Sequence, residues 1–220
     1  MPDILYLHGF ASGPSSHKGN FFARQFAQIG ARVHQPDLNG GDFEGLTITR
    51  QASMAANLVR EIQPELVIGS SMGGYVASIL ATIEPEATPA LVLMAPAFGF
   101  ADRWSARLGP GGMEDWKRAG QMDVYHYGEQ RTMPIGYQLY EDALWFPEYP
   151  DVRQPTLIFH GKRDDVVSAE LSVRFAWGRP NVEVHLLDSD HGLTDVLDTI
   201  WRETVSWRAR LPARESGNFS

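Results

Sequence analysis

The sequence predicts an α/β fold, a mostly parallel sheet whose strands are joined through helices. Three observations carry this reading. Short apolar runs recur along the chain, each closed by Gly, Pro or Asp, as strands buried on both faces are. Between them lie amphipathic stretches whose apolar residues fall at helical spacing. The length of 220 residues with 43% hydrophobic content suits one buried core, with or without a modest insertion, and excludes a disordered chain.

The elements follow in order. Ile4-Leu5-Tyr6-Leu7 is the first strand. Phe21, Phe22, Phe26 and Ile29 mark one helical face over about 18–29, and Gly30 suits the stop. A second strand spans 32–35 and is closed by Pro36-Asp37. Asn39-Gly40-Gly41-Asp42 is turn material, and a helix over 47–62 ends before Pro64. Leu66-Val67-Ile68 is the third strand, running through Gly69-Ser70-Ser71-Met72-Gly73-Gly74 into an apolar helix over 75–83. Leu91-Val92-Leu93-Met94, Thr156-Leu157-Ile158-Phe159 and the segment 182–187 complete six strands. Ser168 suits the cap of a helix over 169–177, and Thr194 the cap of one reaching about Arg208. Residues 98–150 break the β–α rhythm and carry eleven aromatic residues, among them Trp104, Trp116 and Trp145. They are expected to be an insertion between the fourth and fifth strands, within one domain over 1–211. The polar stretch 212–220 is expected to be a flexible tail.

Composition narrows the function. The formal net charge is −8 and no basic run is present, which excludes a nucleic-acid binder, since phosphate neutralisation needs clustered Lys and Arg. The chain has no cysteine, so thiol nucleophiles, disulfides, Cys-ligated zinc and iron–sulfur clusters are excluded. Asp3 precedes the first apolar run and no basic segment does, unlike a signal peptide. No window approaches the roughly 18–20 apolar residues of a membrane span. A soluble, cytoplasmic protein is expected.

The chemistry centres on Gly69-x-Ser71-x-Gly73. A serine at a sharp strand-to-helix turn projects its Oγ above the sheet, and glycines two before and two after keep Cβ atoms out of the crowded turn. The bare pattern is weak, but here a buried strand precedes it and an apolar helix follows. A serine hydroxyl needs a base, and the base an orienting acid. In an open parallel sheet these belong just beyond strand ends. Asp164 follows the fifth strand and His191 the sixth, in the chain order Ser, Asp, His expected with this elbow. Asp165, Asp188 and Asp190 compete for the acid role. His8 and His160 end strands before Gly, a setting that suits structural histidines. A tetrahedral oxyanion needs two donors. The amide of Met72 follows the nucleophile, and the amide of Phe10 lies in the loop Leu7-His8-Gly9-Phe10, with Ala11 in reserve. No phosphate loop, dinucleotide fingerprint, HExxH motif or His pair at metal-ligand spacing occurs.

These residues resemble the α/β-hydrolase superfamily in the elbow Gly69-Ser70-Ser71-Met72-Gly73-Gly74, the loop His8-Gly9-Phe10, the acid loop His160-Gly161-x-x-Asp164-x-x-Val167, and Asp190-His191-Gly192. Tyr-Leu-His-Gly-Phe near the start, with Gly-Ser-Ser-Met-Gly-Gly, is similar to the small bacterial YqiA-like esterases. The resemblance implies helices on both faces of the sheet and hydrolysis of esters or thioesters by a Ser–His–Asp triad without a cofactor or metal. The first strand carries the loop expected to bind the oxyanion, so the two leading strands of larger members are expected to be missing from the sheet. The sheet is then expected in the order 2-1-3-4-5-6. The insertion sits where the family carries a cap, here expected to be small and helical.

That cap offers the one clue to substrate. Its rings, with Met113, Met122 and Met133, suit an acyl-chain lining of which Trp104, Trp116 and Trp145 are the candidate residues. The same rings could equally pack the cap onto the sheet. Arg103, Arg107, Lys117 and Arg118 suit either a solvated face or an anionic head group such as coenzyme A. An acyl ester or thioester is the expected small-molecule partner. Two rival readings stay open: hydrolysis of a carbon–carbon bond in a diketone by the same triad, and a non-catalytic binding protein on a hydrolase scaffold.

Overall fold

A computed structural model describes residues 1–212; the expected tail, apart from Pro212, lies outside the described residues. In chain order the elements are β1 (Asp3–Leu7), α1 (His17–Gln28), β2 (Arg32–His34), α2 (Ile48–Ile62), β3 (Leu66–Ser70), α3 (Met72–Ile83) and β4 (Leu91–Met94). The insertion follows as α4 (Phe100–Ala119), β5 (Gln121–His126), β6 (Arg131–Gly136) and α5 (Gln138–Ala143). The chain then resumes with β7 (Thr156–Gly161), α6 (Ala169–Ala176), β8 (Val182–Leu187), a short 3-10 turn (Thr194–Val196) and α7 (Leu197–Arg210).

Six strands form one parallel sheet in the order β2-β1-β3-β4-β7-β8. This is the expected order, renumbered by the two strands of the insertion. Alternation along the strands divides the core into two layers. Leu5, Leu7, Val67, Leu91, Leu93 and Ile158 face a layer formed with α2 and α3. Ile4, Tyr6, Ile68, Val92, Met94 and Phe159 face Phe22 and Phe26 of α1 and Ile200 and Trp207 of α7. Helix α3 is buried from Met72 through Ala81, which is why its sequence is apolar all round rather than striped. Among the described residues no helix is long and apolar enough to cross a membrane.

Helix starts follow the local chemistry of the sequence. Ser16, Thr47 and Ser168 cap α1, α2 and α6, each hydroxyl accepting an amide of the first turn. Thr194 instead opens the 3-10 turn, and α7 begins at Leu197 without a side-chain cap.

The cap is not purely helical as expected. Helix α4 breaks at Gly109 (φ 67°, ψ 172°) and Pro110, and β5 and β6 form an antiparallel hairpin. The period-2 signal of this hairpin is short: β5 alternates, but its last pair inverts the usual chemistry, with Tyr125 exposed and His126 buried, and β6 carries Pro134 and does not alternate. The hairpin tip docks on the main domain, where the amides of Tyr127 and Gly128 donate to the Ala11 carbonyl at 2.7 and 3.4 Å.

Candidate active site

The sheet order reverses between β1 and β3, and in α/β folds ligands bind beyond the carboxyl ends of strands at such a point. Leu7 pairs with Gly69 across these two strands, so the loop after β1 and the turn after β3 lie side by side. A Cβ added at Gly9 would sit 3.3 Å from the Ser70 carbonyl and 3.4 Å from the Ser71 Cβ. Only a backbone as bare as glycine's fits there with comfort.

Ser71 occupies the turn with φ 52° and ψ −116°, a conformation L-residues avoid. Surrounding hydrogen bonds hold it there. Its amide donates to the Met94 carbonyl at 2.9 Å, and its own carbonyl accepts from Gly74, Tyr75 and Ala97 at 2.9, 3.1 and 3.0 Å. A Cβ at Gly69 would lie 2.5 Å from the Gly73 carbonyl oxygen, and one at Gly73 would strike the carbonyls of Leu7 and His8. The glycine spacing noted in the sequence is thus enforced by backbone atoms.

The Ser71 Oγ lies 3.1 Å from the His191 Nε2, and the His191 Nδ1 lies 2.7 Å from the Asp164 Oδ2. A carboxylate only accepts, so the Nδ1 proton points at Asp164 and leaves the Nε2 lone pair for the serine hydroxyl. Asp164 is wholly buried. Burial pushes its carboxyl up, but donation from His160, His191 and the Val167 amide outweighs that and holds it far below the usual carboxylate range. Its competitors are occupied elsewhere. Asp165 is exposed, Asp188 pairs with Arg163, and Asp190 accepts from the amides of Gly192 and Leu193.

His8 and His160 are structural, with one consequence each that the sequence does not announce. His8 donates from Nδ1 to the Gly9 carbonyl at 2.9 Å and accepts the Leu38 amide on Nε2 at 3.0 Å, fixing the loop that carries Phe10. Burial lowers its pKa, against the opposing pull of Gly9 and Asp37. His160 is buried, with Nδ1 2.7 Å from the Ser172 Oγ and Nε2 facing both the Val167 carbonyl and Asp164. It therefore steadies the acid.

The Phe10 amide has no acceptor among the described residues, and the Met72 amide, the first of α3, points out of the helix start as such amides do. Ala11, named in reserve, has φ 51°, and its carbonyl is the one taken by the hairpin tip.

The three tryptophans part company. Trp104 is half-buried and stands edge-on to the Phe10 ring, centroids 5.5 Å apart. Trp116 lies behind it at 5.1 Å, 2% exposed, its indole N–H donating to the Ile135 carbonyl; it supports the lining. Trp145 is 85% exposed beyond α5 and has no ring contact among the described residues. The structure does not bring it to this cluster, because the chain turns outward after α5. Of the cap cations, Arg103 donates to the carbonyls of Phe98 and Val166, Arg118 pairs with Asp115, and Lys117 sits 5.9 Å from the Tyr137 ring centre. A cavity of about 600 Å³ is lined by Ser12, His17, Asn39, Phe43, His126 and Arg131 among others. It contains no residue of the Ser71–His191–Asp164 relay.

Fold and site together define a hydrolase of the α/β-hydrolase superfamily. Within it, the chain belongs to the uncharacterised protein family UPF0227, whose profile matches residues 3–205. Relatives of known name are more distant. The mitochondrial palmitoyl-protein thioesterase ABHD10 of Bos taurus is 23% identical, over 90% of this chain and 69% of its own. The 2-hydroxy-6-oxononadienedioate/2-hydroxy-6-oxononatrienedioate hydrolase of Paraburkholderia phymatum is 24% identical, over 83% and 78%. Among solved structures, Est1E from Butyrivibrio proteoclasticus with ferulic acid bound superposes with a TM-score of 0.75 at 18% identity, covering 96% of this chain and 90% of its own. Alpha/beta hydrolase domain-containing protein 10 from mouse gives 0.73 at 19%, covering 94% and 90%.

Proposed function

We propose that the protein cleaves carboxylic esters or thioesters through an acyl-enzyme on Ser71. The observation that carries this is the unbroken series Ser71 Oγ–His191 Nε2–Asp164 Oδ2, at 3.1 and 2.7 Å. The Ser71 oxygen attacks the acyl carbon while its proton passes to His191 Nε2. Asp164, ionised and buried, holds the ring in the required tautomer and stabilises the imidazolium. The amides of Phe10 and Met72 bind the oxyanion. The proton then goes to the departing alkoxide or thiolate, and water repeats the sequence to release the acid and restore Ser71.

Trp104 and Phe10 supply an apolar wall beside the oxyanion loop, which favours an acyl chain as the bound group. The naming of one relative as a palmitoyl-protein thioesterase adds to that reading. The test is a chain-length series of aryl esters and acyl thioesters, with a vinylogous diketone acid as a third arm and Ser71→Ala as control. Turnover that rises with acyl length and vanishes in Ser71→Ala is expected. Turnover of the diketone alone would move the protein to carbon–carbon hydrolysis, and none on any arm would leave a binding protein.

A further inference from the structure

Lys18 is the second residue of α1, where a cation opposes the positive end of the helix dipole. The helix itself gives no reason for it. The side chain runs inward, and its Nζ donates to the Gly192 carbonyl at 2.8 Å, across 174 positions of sequence. Burial pulls its ammonium down to about 8, against the fields of Asp190 and Asp164. It is therefore charged across the range in which an imidazole titrates.

Gly192 is the peptide next to His191, and it is held from both sides. Its amide donates to the Asp190 Oδ1 at 2.8 Å, and its carbonyl takes Lys18. Leu193 follows with φ 54°, and its amide turns back to the same Asp190 oxygen. Below, a Cβ at Gly161 would strike the carbonyls of Ser189 and Asp190, so the loop rests on bare backbone. The His191 side chain is 22% exposed; packing encloses it only in part. Its aim toward Ser71 then depends on the backbone that carries it.

We propose that Lys18 is a positioning residue for His191, holding its loop by the Gly192 carbonyl. The inference rests on the triad reading above. Four other charged or titratable groups share this region. Asp164 and Asp190 face Lys18, while His160 and Arg103 act on Asp164. Removing the ammonium takes away the donor that holds the Gly192 carbonyl. A lysine that merely stabilised the fold would leave kcat of the folded enzyme unmoved.

The test compares native protein with Lys18→Met, Lys18→Gln and Lys18→Arg, following ester turnover and Ser71 labelling by a fluorophosphonate against pH. Lys18→Met should lower kcat about 10–100-fold with little change in KM, the scale of a misplaced catalytic group. Lys18→Arg, which keeps a long cationic donor, should recover much of that loss. If the Met variant does not fold, Lys18→Gln carries the test, its side chain being one atom too short to make the lysine's bond to Gly192. A folded Met or Gln variant with native kcat overturns the proposal. Native protein that fails to label at Ser71 overturns the triad reading and this one with it; labelling at Ser71 with unaltered Lys18 variants overturns this one alone.

Discussion

His160 and His191 share one oxygen of Asp164, their ring nitrogens lying 3.1 and 2.7 Å from Oδ2. The other oxygen accepts the amides of Val166 and Val167 at 2.9 and 2.8 Å. Every lone-pair direction of the carboxylate that matters is thus occupied, and Asp164 has one orientation in which to meet the His191 ring.

Replacing Asp164 with Asn puts an N–H₂ where His191 donates, or forces the ring into the other tautomer. We expect a loss of about 10³–10⁴ in kcat/KM, with Asp165→Asn close to native. Steady-state kinetics on a short aryl ester decides; an active Asp164→Asn would return the role to a neighbouring carboxylate.

The same carboxyl makes stability depend on pH. Its folded value lies below the unfolded one of about 3.9, so its contribution is complete above that pH and fades as pH falls through the window below it. Thermal melts of the native protein should drop more steeply between about pH 4 and 2 than those of Asp164→Asn. Parallel curves would mean that the hydrogen bonds around Asp164 add no net stability.

Turnover follows a different group. A protonated imidazole cannot accept the serine proton, so the rate should fall on the acid side. The melts fix where unfolding begins, and the rate loss should precede it. A flat rate from about pH 5 to 8 would contradict His191 as base.

Gly73→Ala should cost about 3 kcal/mol or more, because the new Cβ meets the carbonyls of Leu7 and His8, backbone that cannot step aside. Chemical denaturation measures it. A native-like midpoint would show that the turn has room to open.

Trp116→Ala and Trp145→Ala should separate cleanly. The first empties a buried site and breaks the bond to the Ile135 carbonyl, a loss of about 3–5 kcal/mol. The second removes an exposed ring and should change stability by less than about 0.5 kcal/mol and acyl-chain preference not at all. A shifted chain-length preference in Trp145→Ala would place that ring at the substrate.

Legibility in the sequence followed the reach of each signal. The four central strands declare themselves because both faces are buried, which makes Leu66-Val67-Ile68 or Leu157-Ile158-Phe159 continuous apolar runs, whereas the edge strands β2 and β8 are only partly covered. Ser71, Asp164 and His191 could be picked out because each lies at a strand's carboxyl end, where the fold places chemistry. The hairpin of β5 and β6 escaped because its alternation is short, Gln121 to Val124 in β5, while β6 has none and carries Pro134. Lys18 escaped for another reason: a single hydrogen bond across 174 residues leaves no local pattern. Its one sequence trace is the oddity of a lysine in the first turn of a helix. The three tryptophans were indistinguishable by type, since only the packing tells a wall from a rim.

The backbone at Ser71, with φ 52°, has an evolutionary corollary. Such a conformation costs on the order of 1–3 kcal/mol in any residue with a Cβ, so a Ser71→Gly protein should melt a few degrees higher than its parent while doing no chemistry. A lineage released from the need to catalyse would find that gain one codon away. A serine at this position, against a thermodynamic incentive to lose it, is what a working enzyme requires.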